Sequence, residues 1–84
     1  MVSVKWSAGA RADLERLDRV IVKRILLKVS WIAENFAFVV PEQLTHDLRD
    51  FYKLRVGDYR LIYSVRNNTM LILSVGHRSE IYKI

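Results

Sequence analysis

The sequence has 84 residues, enough for one globular domain and not two, and we expect a single domain over residues 1–84. Hydrophobic residues make up 51% and charged residues 27% of the chain, which excludes a disordered protein, and the lack of cysteine excludes disulfides and thiolate metal sites. The formal net charge of +5 favours RNA or DNA as a partner, although an acidic protein would fit as well.

The N-terminal residues lack the basic segment and apolar run of a signal peptide. The apolar runs of the sequence are far shorter than the roughly 20 residues that a membrane-spanning helix needs. A small domain without cysteine also suits a reducing compartment. We therefore expect a cytoplasmic protein that makes no membrane contact.

The first half of the chain predicts one strand followed by two helices. Apolar residues alternate over residues 2–6, as in a half-buried strand, and helical spacing follows from residue 8 to residue 17. Ser7 and Asp18 have side chains that cap helix N-termini, so a second helix begins after Asp18. Its apolar stripe is Ile21, Ile25, Val29, Ile32 and Phe36. Because the connection is short, we expect the helices to form an antiparallel hairpin.

The second half predicts strands. Residues 38–48 have no clear period and contain Pro41, so we expect a loop there, with at most a short turn of helix. Strands are predicted at residues 51–56, 59–65 and 70–75, separated by the turn pairs Gly57-Asp58 and Asn67-Asn68. Strands so close in sequence form an antiparallel meander, and the first strand can join it.

The predicted fold class is therefore α+β, with one sheet packed on the helix hairpin. This arrangement leaves the other face of the sheet open. Residues 76–84 are expected to extend past the sheet, where they can fold back over its end.

Three basic residues are candidates for chemistry on the open face. Side chains alternate along a strand, so Lys53 and Arg55 share the face opposite Leu54. Arg60 begins the next strand, and its guanidinium can hold a phosphate with two hydrogen bonds. Two simpler interpretations stay open: Lys53 and Arg55 form a solvated edge, or Arg60 pairs with a nearby aspartate, Asp58 or Asp50.

The C-terminal segment adds an imidazole, a guanidinium and a phenol. The ring of Tyr82 is a suitable platform for stacking a base, as in single-stranded RNA recognition, or it simply packs the chain end. An imidazole is a common general acid or base near neutral pH, which makes His77 a candidate for that role. The other histidine, His46, is expected to be a surface residue.

No established hydrolytic set stands out in the sequence, and we expect neither a metal nor a cofactor. One reaction nonetheless suits clustered Lys and Arg side chains. RNA carries its own nucleophile, the 2′-hydroxyl, so an enzyme has to align it, move protons and stabilise the negative transition state. Clustered Lys and Arg side chains can provide these functions without a metal.

Two segments carry a resemblance to a known family. Residues 52–63 (YKLRVGDYRLIY) resemble the central hairpin of RelE-type toxins of the RelE/ParE superfamily, and residues 74–82 (SVGHRSEIY) resemble their closing segment. The resemblance implies proton removal and phosphate binding by Lys53 and Arg55, and transition-state stabilisation by Arg60. It also implies proton donation or charge stabilisation by Arg78 and stacking by Tyr82, with His77 as an added acid or base.

The same resemblance implies a biological role. RelE-type toxins are cytoplasmic mRNA interferases, metal-independent endoribonucleases that cut mRNA on the ribosome and are held by a cognate antitoxin. The expected partners are thus an antitoxin, the ribosome and mRNA. Two alternatives remain open at this point, a ParE-like gyrase inhibitor and an inactive toxin that acts as a binding module or corepressor with its antitoxin.

Overall fold

A computed structural model of the chain describes residues 1–45 and 48–81. The chain begins with β1 (Ser3–Trp6), α1 (Ala8–Glu15) and α2 (Arg19–Glu34), followed by a 3₁₀ turn at Phe36–Phe38. Four strands and a short helix complete the described residues: β2 (Glu42–Thr45), β3 (Leu48–Val56), β4 (Tyr59–Arg66), β5 (Thr69–His77) and α3 (Arg78–Ile81).

The strands form one sheet in the order β1-β5-β4-β3-β2. β1 runs parallel to β5, and the other neighbouring strands are antiparallel. The α+β class, the meander and the joining of the first strand to it are therefore confirmed. The prediction of a loop over residues 38–48 is wrong in part, because Glu42 and Gln43 pair with Lys53 and Tyr52 as an edge strand. Pairing with β3 makes this segment a strand, although its own sequence has no strand periodicity.

The start of α1 is fixed by its cap. The Ser7 hydroxyl oxygen accepts a hydrogen bond from the Ala10 N–H at 3.0 Å, and the hydroxyl donates to the Leu73 carbonyl at 3.0 Å. The predicted Ser7 cap is confirmed, and it also ties α1 to β5. Asp18 stands at the N-cap position of α2 without a side-chain cap bond. Within the described residues, no helix is long and apolar enough to cross a membrane.

The core lies between the helices and one face of the sheet. Ile25, Val29 and Ile32 of the predicted α2 stripe are buried, and Ile21 and Phe36 pack against the same core. The sheet contributes the buried side chains Leu61, Tyr63, Met70, Ile72 and Val75. Helical periodicity thus predicted the buried face of α2 correctly, and the opposite face of the sheet is not covered by either helix.

The two turns adopt the backbone conformations that their residues favour. Gly57 has a φ of +60°, and Asn67 and Asn68 have φ values of +50° and +58°. Glycine and asparagine tolerate this left-handed region better than other residues. Both predicted turn pairs are confirmed.

The buried side chain of Tyr63 makes the stability of the protein depend on pH in the alkaline range. Its side chain is 2% exposed, and burial, with a smaller contribution from Tyr52, raises its pKa above the usual 10.0. Tyr63 ionises at a lower pH in the unfolded chain than in the folded chain. The stability that this side chain contributes is therefore fully present below about pH 10 and is lost as the pH rises through the raised pKa of the folded state. We expect the melting temperature to fall less between about pH 9 and pH 11 in Tyr63→Phe than in the native chain. An equal fall of the melting temperature in both proteins over this pH range would contradict the prediction.

Candidate active site

A basic cleft lies on the open face of the sheet, at the end where β3 turns into β4. Lys53, Arg55 and Arg60 line a cavity of about 290 Å³ together with Glu42. Lys53 and Arg55 lie one strand repeat apart on β3, and Arg55 pairs directly with Arg60 in the register. The structure therefore brings three of the six predicted site residues together.

One backbone carbonyl holds the two guanidinium groups of the cleft. Arg60 Nη1 donates to the carbonyl oxygens of Gly57 and Tyr59, both at 3.0 Å, and Arg55 Nε donates to the Gly57 oxygen at 3.3 Å. The left-handed conformation of Gly57 shapes the turn that carries this carbonyl. Because Arg55 is fixed through Nε, its two Nη groups remain available for an anion.

The aspartate pairing considered for Arg60 is not seen among the described residues. Asp50 Oδ2 lies 3.4 Å from Arg66 Nη2, and Arg66 is three strand repeats away from Arg60 on β4. Lys53 and Arg55 line the cavity together with two further charged side chains, those of Arg60 and Glu42, and Arg55 is itself exposed. Like charges gathered without full compensation favour binding of an anion such as phosphate.

Glu42 is a functional candidate that the sequence analysis missed. Its Oε1 lies 3.4 Å from Lys53 Nζ, with 71% of the Glu42 side chain exposed against 31% for Lys53. Glu42 follows Pro41 in a segment without periodicity, and only the pairing of β2 with β3 places it opposite Lys53. No local signal identified it. An exposed carboxylate can accept a proton, and Glu42 is the carboxylate among the side chains that line this cleft.

His77 lies on the other side of the sheet from the basic cleft. Its ring packs edge-on against Tyr59 at a centroid distance of 5.6 Å, and it lines a separate cavity of about 560 Å³ with Asp13 and Arg16 of the helical region. Its Nδ1 accepts a hydrogen bond from the Ser79 N–H at 3.1 Å, so the neutral ring carries its proton on Nε2.

A register shift in β5 explains this position of His77. The pairing of β4 with β5 shifts between Ile62 and Tyr63, which leaves Leu73 as an extra residue in β5. Met70 and Ile72 face the core before the shift, and Val75 faces it afterwards. An extra residue exchanges the two faces of a strand. His77 therefore shares the helix-facing side with Val75.

Arg78 and Tyr82 are the remaining predicted site residues. Arg78 is exposed at the start of α3, and its N–H donates to the Asp58 carbonyl at 2.8 Å. This bond holds Arg78 beside the turn that fixes Arg55 and Arg60. Tyr82, like His46, lies outside the described residues.

The chemistry that the cleft offers is electrostatic. Among residues 1–45 and 48–81, no cluster of three or more His, Cys, Asp or Glu side chains is placed to hold a metal ion. The three cations can hold a phosphate and stabilise added negative charge, and the Glu42 carboxylate can accept a proton. This set suits phosphoryl transfer from a substrate that brings its own nucleophile.

Comparison with known families identifies the family to which the chain belongs. The family described as the ParE toxin of type II toxin-antitoxin systems matches residues 4–82, nearly the whole chain. The chain belongs to the ParE toxin family. It is a toxin of a type II toxin-antitoxin system and a member of the RelE/ParE superfamily, as the two sequence motifs predicted.

Individual relatives of the toxin agree with this assignment. Toxin RelG of Mycobacterium tuberculosis is 29% identical over 83 residues, which cover 96% of this chain and 95% of RelG. The isolated Escherichia coli RelE toxin has the same fold, with a TM-score of 0.77, 22% identity, and coverage of 98% of this chain and 92% of RelE. The M. tuberculosis RelBE2 toxin-antitoxin complex contains a chain with a TM-score of 0.69 and 29% identity, covering 92% of this chain and 98% of its own.

The toxin also carries an apolar groove on its helical side, away from the basic cleft. The groove has a volume of about 450 Å³ and lies along α1 and α2, with Leu14, Leu17, Val22 and Leu26 among its lining residues. Leu27 also lines it, with 63% of its surface exposed. Apolar surface of this kind on a small protein is typical of a protein-binding site.

Proposed function

We propose that the toxin is an endoribonuclease that cleaves mRNA on the ribosome and thereby inhibits translation. The observation that carries this proposal is the convergence of Lys53, Arg55 and Arg60 on one cavity, with the Glu42 carboxylate in the same cleft. The resemblance of residues 52–63 to the RelE-type hairpin supports RNA as the substrate. The net charge of +5 fits a polyanion.

The proposed reaction is attack of a ribose 2′-hydroxyl on the adjacent phosphorus. The new P–O2′ bond forms as the P–O5′ bond breaks, which leaves a 2′,3′-cyclic phosphate and a free 5′-hydroxyl. Glu42 accepts the proton of the 2′-hydroxyl, and Lys53, 3.4 Å away, orients the carboxylate. Arg55 and Arg60 bind the non-bridging oxygens, whose negative charge grows in the transition state.

In-line attack places the leaving oxygen on the side of the phosphorus opposite the 2′-hydroxyl. We assign charge stabilisation of this oxygen to Arg78, which is held beside the turn by its bond to Asp58, and its proton comes from water. Stacking of a base on Tyr82 completes the proposed site. His77 has no direct role in this mechanism because it lies on the helix-facing side of the sheet.

Primer extension on a reporter mRNA in a translating extract tests the proposal. We expect new cuts inside the reading frame that depend on added toxin and disappear when initiation is blocked. Cuts that persist without translation would mean that cleavage does not require the ribosome. No cuts, despite growth arrest on induction, would contradict the endoribonuclease function itself.

A second candidate function is inhibition of DNA gyrase. The observation that favours it is the match of residues 4–82 to the ParE toxin family. The fold does not distinguish the two activities, whereas the composition of the cleft favours RNA cleavage. A supercoiling assay with purified gyrase separates them, because an RNA-cleaving toxin leaves supercoiling unchanged even at high concentration.

We further propose that a cognate antitoxin binds this toxin in the cytoplasm. The RelBE2 structure is a toxin-antitoxin complex, and the apolar groove along α1 and α2 suits an apolar segment of such a partner. The charged residues of the groove are Arg19, Lys23 and Glu15, so two cations face one carboxylate and the segment should carry an excess of acidic residues at its edges. Co-expression with the neighbouring gene should yield a stoichiometric complex. Harmless induction of the toxin alone would instead favour an inactive binding module or corepressor.

A further inference from the structure

A second cavity adjoins the basic cleft at the turn between β3 and β4. It has a volume of about 210 Å³ and lies between this turn and α2, lined by Ile21, Arg24, Arg55, Val56, Asp58 and Tyr59. Arg55 lines both cavities, so one guanidinium forms the boundary between them. A ligand that spans the two cavities must pass over Arg55.

We propose that this second cavity binds the nucleotide next to the scissile linkage on the same RNA strand. The inference rests on the proposed endoribonuclease function and names a further part of its substrate site. The neighbouring phosphate binds between Arg24 and Arg55, and its nucleoside lies against the apolar bed of Ile21, Val56 and Tyr59.

The charge arrangement supports a phosphate at this position. Arg24 is exposed on α2, and within the described part of the chain its guanidinium has no ion-pair partner. Its planar fork can bind two oxygens of one phosphate at once. Asp58 also lines the cavity and opposes an anion, so two guanidinium groups face one carboxylate. The remaining positive charge is smaller than that of the cleft, as suits binding and not catalysis.

The shape and chemistry of the cavity favour a nucleotide over a free anion. A site for phosphate alone needs only cations and N–H groups, whereas three of the residues here present aliphatic or aromatic surface. Ring and aliphatic surface beside a guanidinium is the usual environment for a base and sugar of single-stranded RNA. A strand that crosses Arg55 therefore continues naturally from the cleft into this cavity.

The test compares Arg24→Ala with Lys28→Ala on ribosomes programmed with a short synthetic mRNA. Both changes remove one exposed cation from α2, but Lys28 lies over the ring of Trp31 and does not line this cavity. We expect Arg24→Ala to raise the toxin concentration for half-maximal cleavage about tenfold, as for loss of one charge-assisted hydrogen bond, with little change in the maximal rate. Lys28→Ala should match the native toxin, and Arg24→Lys should fall between the native toxin and Arg24→Ala.

A neutral methylphosphonate linkage in the mRNA identifies the phosphate that Arg24 contacts. Placed directly before or after the scissile linkage, it should weaken cleavage by the native toxin at one of the two positions and cause no further loss in Arg24→Ala. If the methylphosphonate at either position weakens cleavage by Arg24→Ala as much as it weakens cleavage by the native toxin, Arg24 contacts neither phosphate. Its partner would then be ribosomal RNA, which overturns the proposal. Equal behaviour of the Arg24→Ala and Lys28→Ala variants would overturn the proposal while leaving the endoribonuclease function intact. A native toxin that makes no cuts would overturn both this proposal and the endoribonuclease function.

Discussion

Arg60→Ala is expected to lower the maximal rate of mRNA cleavage about 100- to 1000-fold, the usual loss when one fixed donor to a transition-state oxyanion is removed. Arg60 is held by the carbonyls of Gly57 and Tyr59 at 3.0 Å, so its guanidinium needs little reorganisation when charge develops on the phosphate. The rate is measured as single-turnover cleavage on programmed ribosomes with saturating toxin. The effect should appear in the maximal rate more than in half-saturation, because the interaction strengthens in the transition state.

Arg66→Ala is the matched control for this prediction. Arg66 lies on the same face of β4, is exposed, and pairs with Asp50 at 3.4 Å outside the cleft. It has the same charge as Arg60 and should be dispensable for cleavage. Arg60→Lys keeps the charge but loses the planar fork, so it should recover only part of the rate. A folded Arg60→Ala variant that cleaves like the native toxin would contradict the assigned role.

The parts of the fold that sequence reasoning predicted are those set by local periodicity. Ile25, Val29 and Ile32 fall on one face of α2 at helical spacing, and their burial follows from that spacing alone. In the same way, the alternation of Lys53, Leu54 and Arg55 places the two cations opposite the core. These predictions needed no knowledge of which segments pair.

The two features that sequence reasoning did not predict depend on strand pairing. β2 is an edge strand that exists through its bonds to β3, so Glu42 could not be placed in the cleft from its neighbours in sequence. The face on which His77 lies depends on one extra residue in β5, opposite the shift between Ile62 and Tyr63. A bulge of one residue reverses the face of everything beyond it, and nothing in the local pattern marks its position.

Glu42→Gln tests the proton acceptor that the structure adds to the predicted cations. The variant keeps the shape of the side chain and one acceptor oxygen, but an NH2 donor replaces the second oxygen and the side chain cannot accept the proton of the 2′-hydroxyl. We expect the maximal rate of cleavage to fall about 100- to 10,000-fold, the range for loss of a general base. The exposed ion pair with Lys53 contributes little to stability, so the melting temperature should stay unchanged.

The pH dependence of cleavage distinguishes this role from a purely electrostatic one. If Glu42 accepts the proton, the rate of the native toxin rises with pH on the acidic side of its profile, and this rise disappears in Glu42→Gln. Glu34→Gln, an exposed glutamate at the end of α2, serves as the matched control and should keep the native profile. If Glu42→Gln instead cleaves faster at every pH, the carboxylate only repels the phosphate. The proton would then pass to water, and catalysis would depend on charge stabilisation by Lys53, Arg55, Arg60 and Arg78.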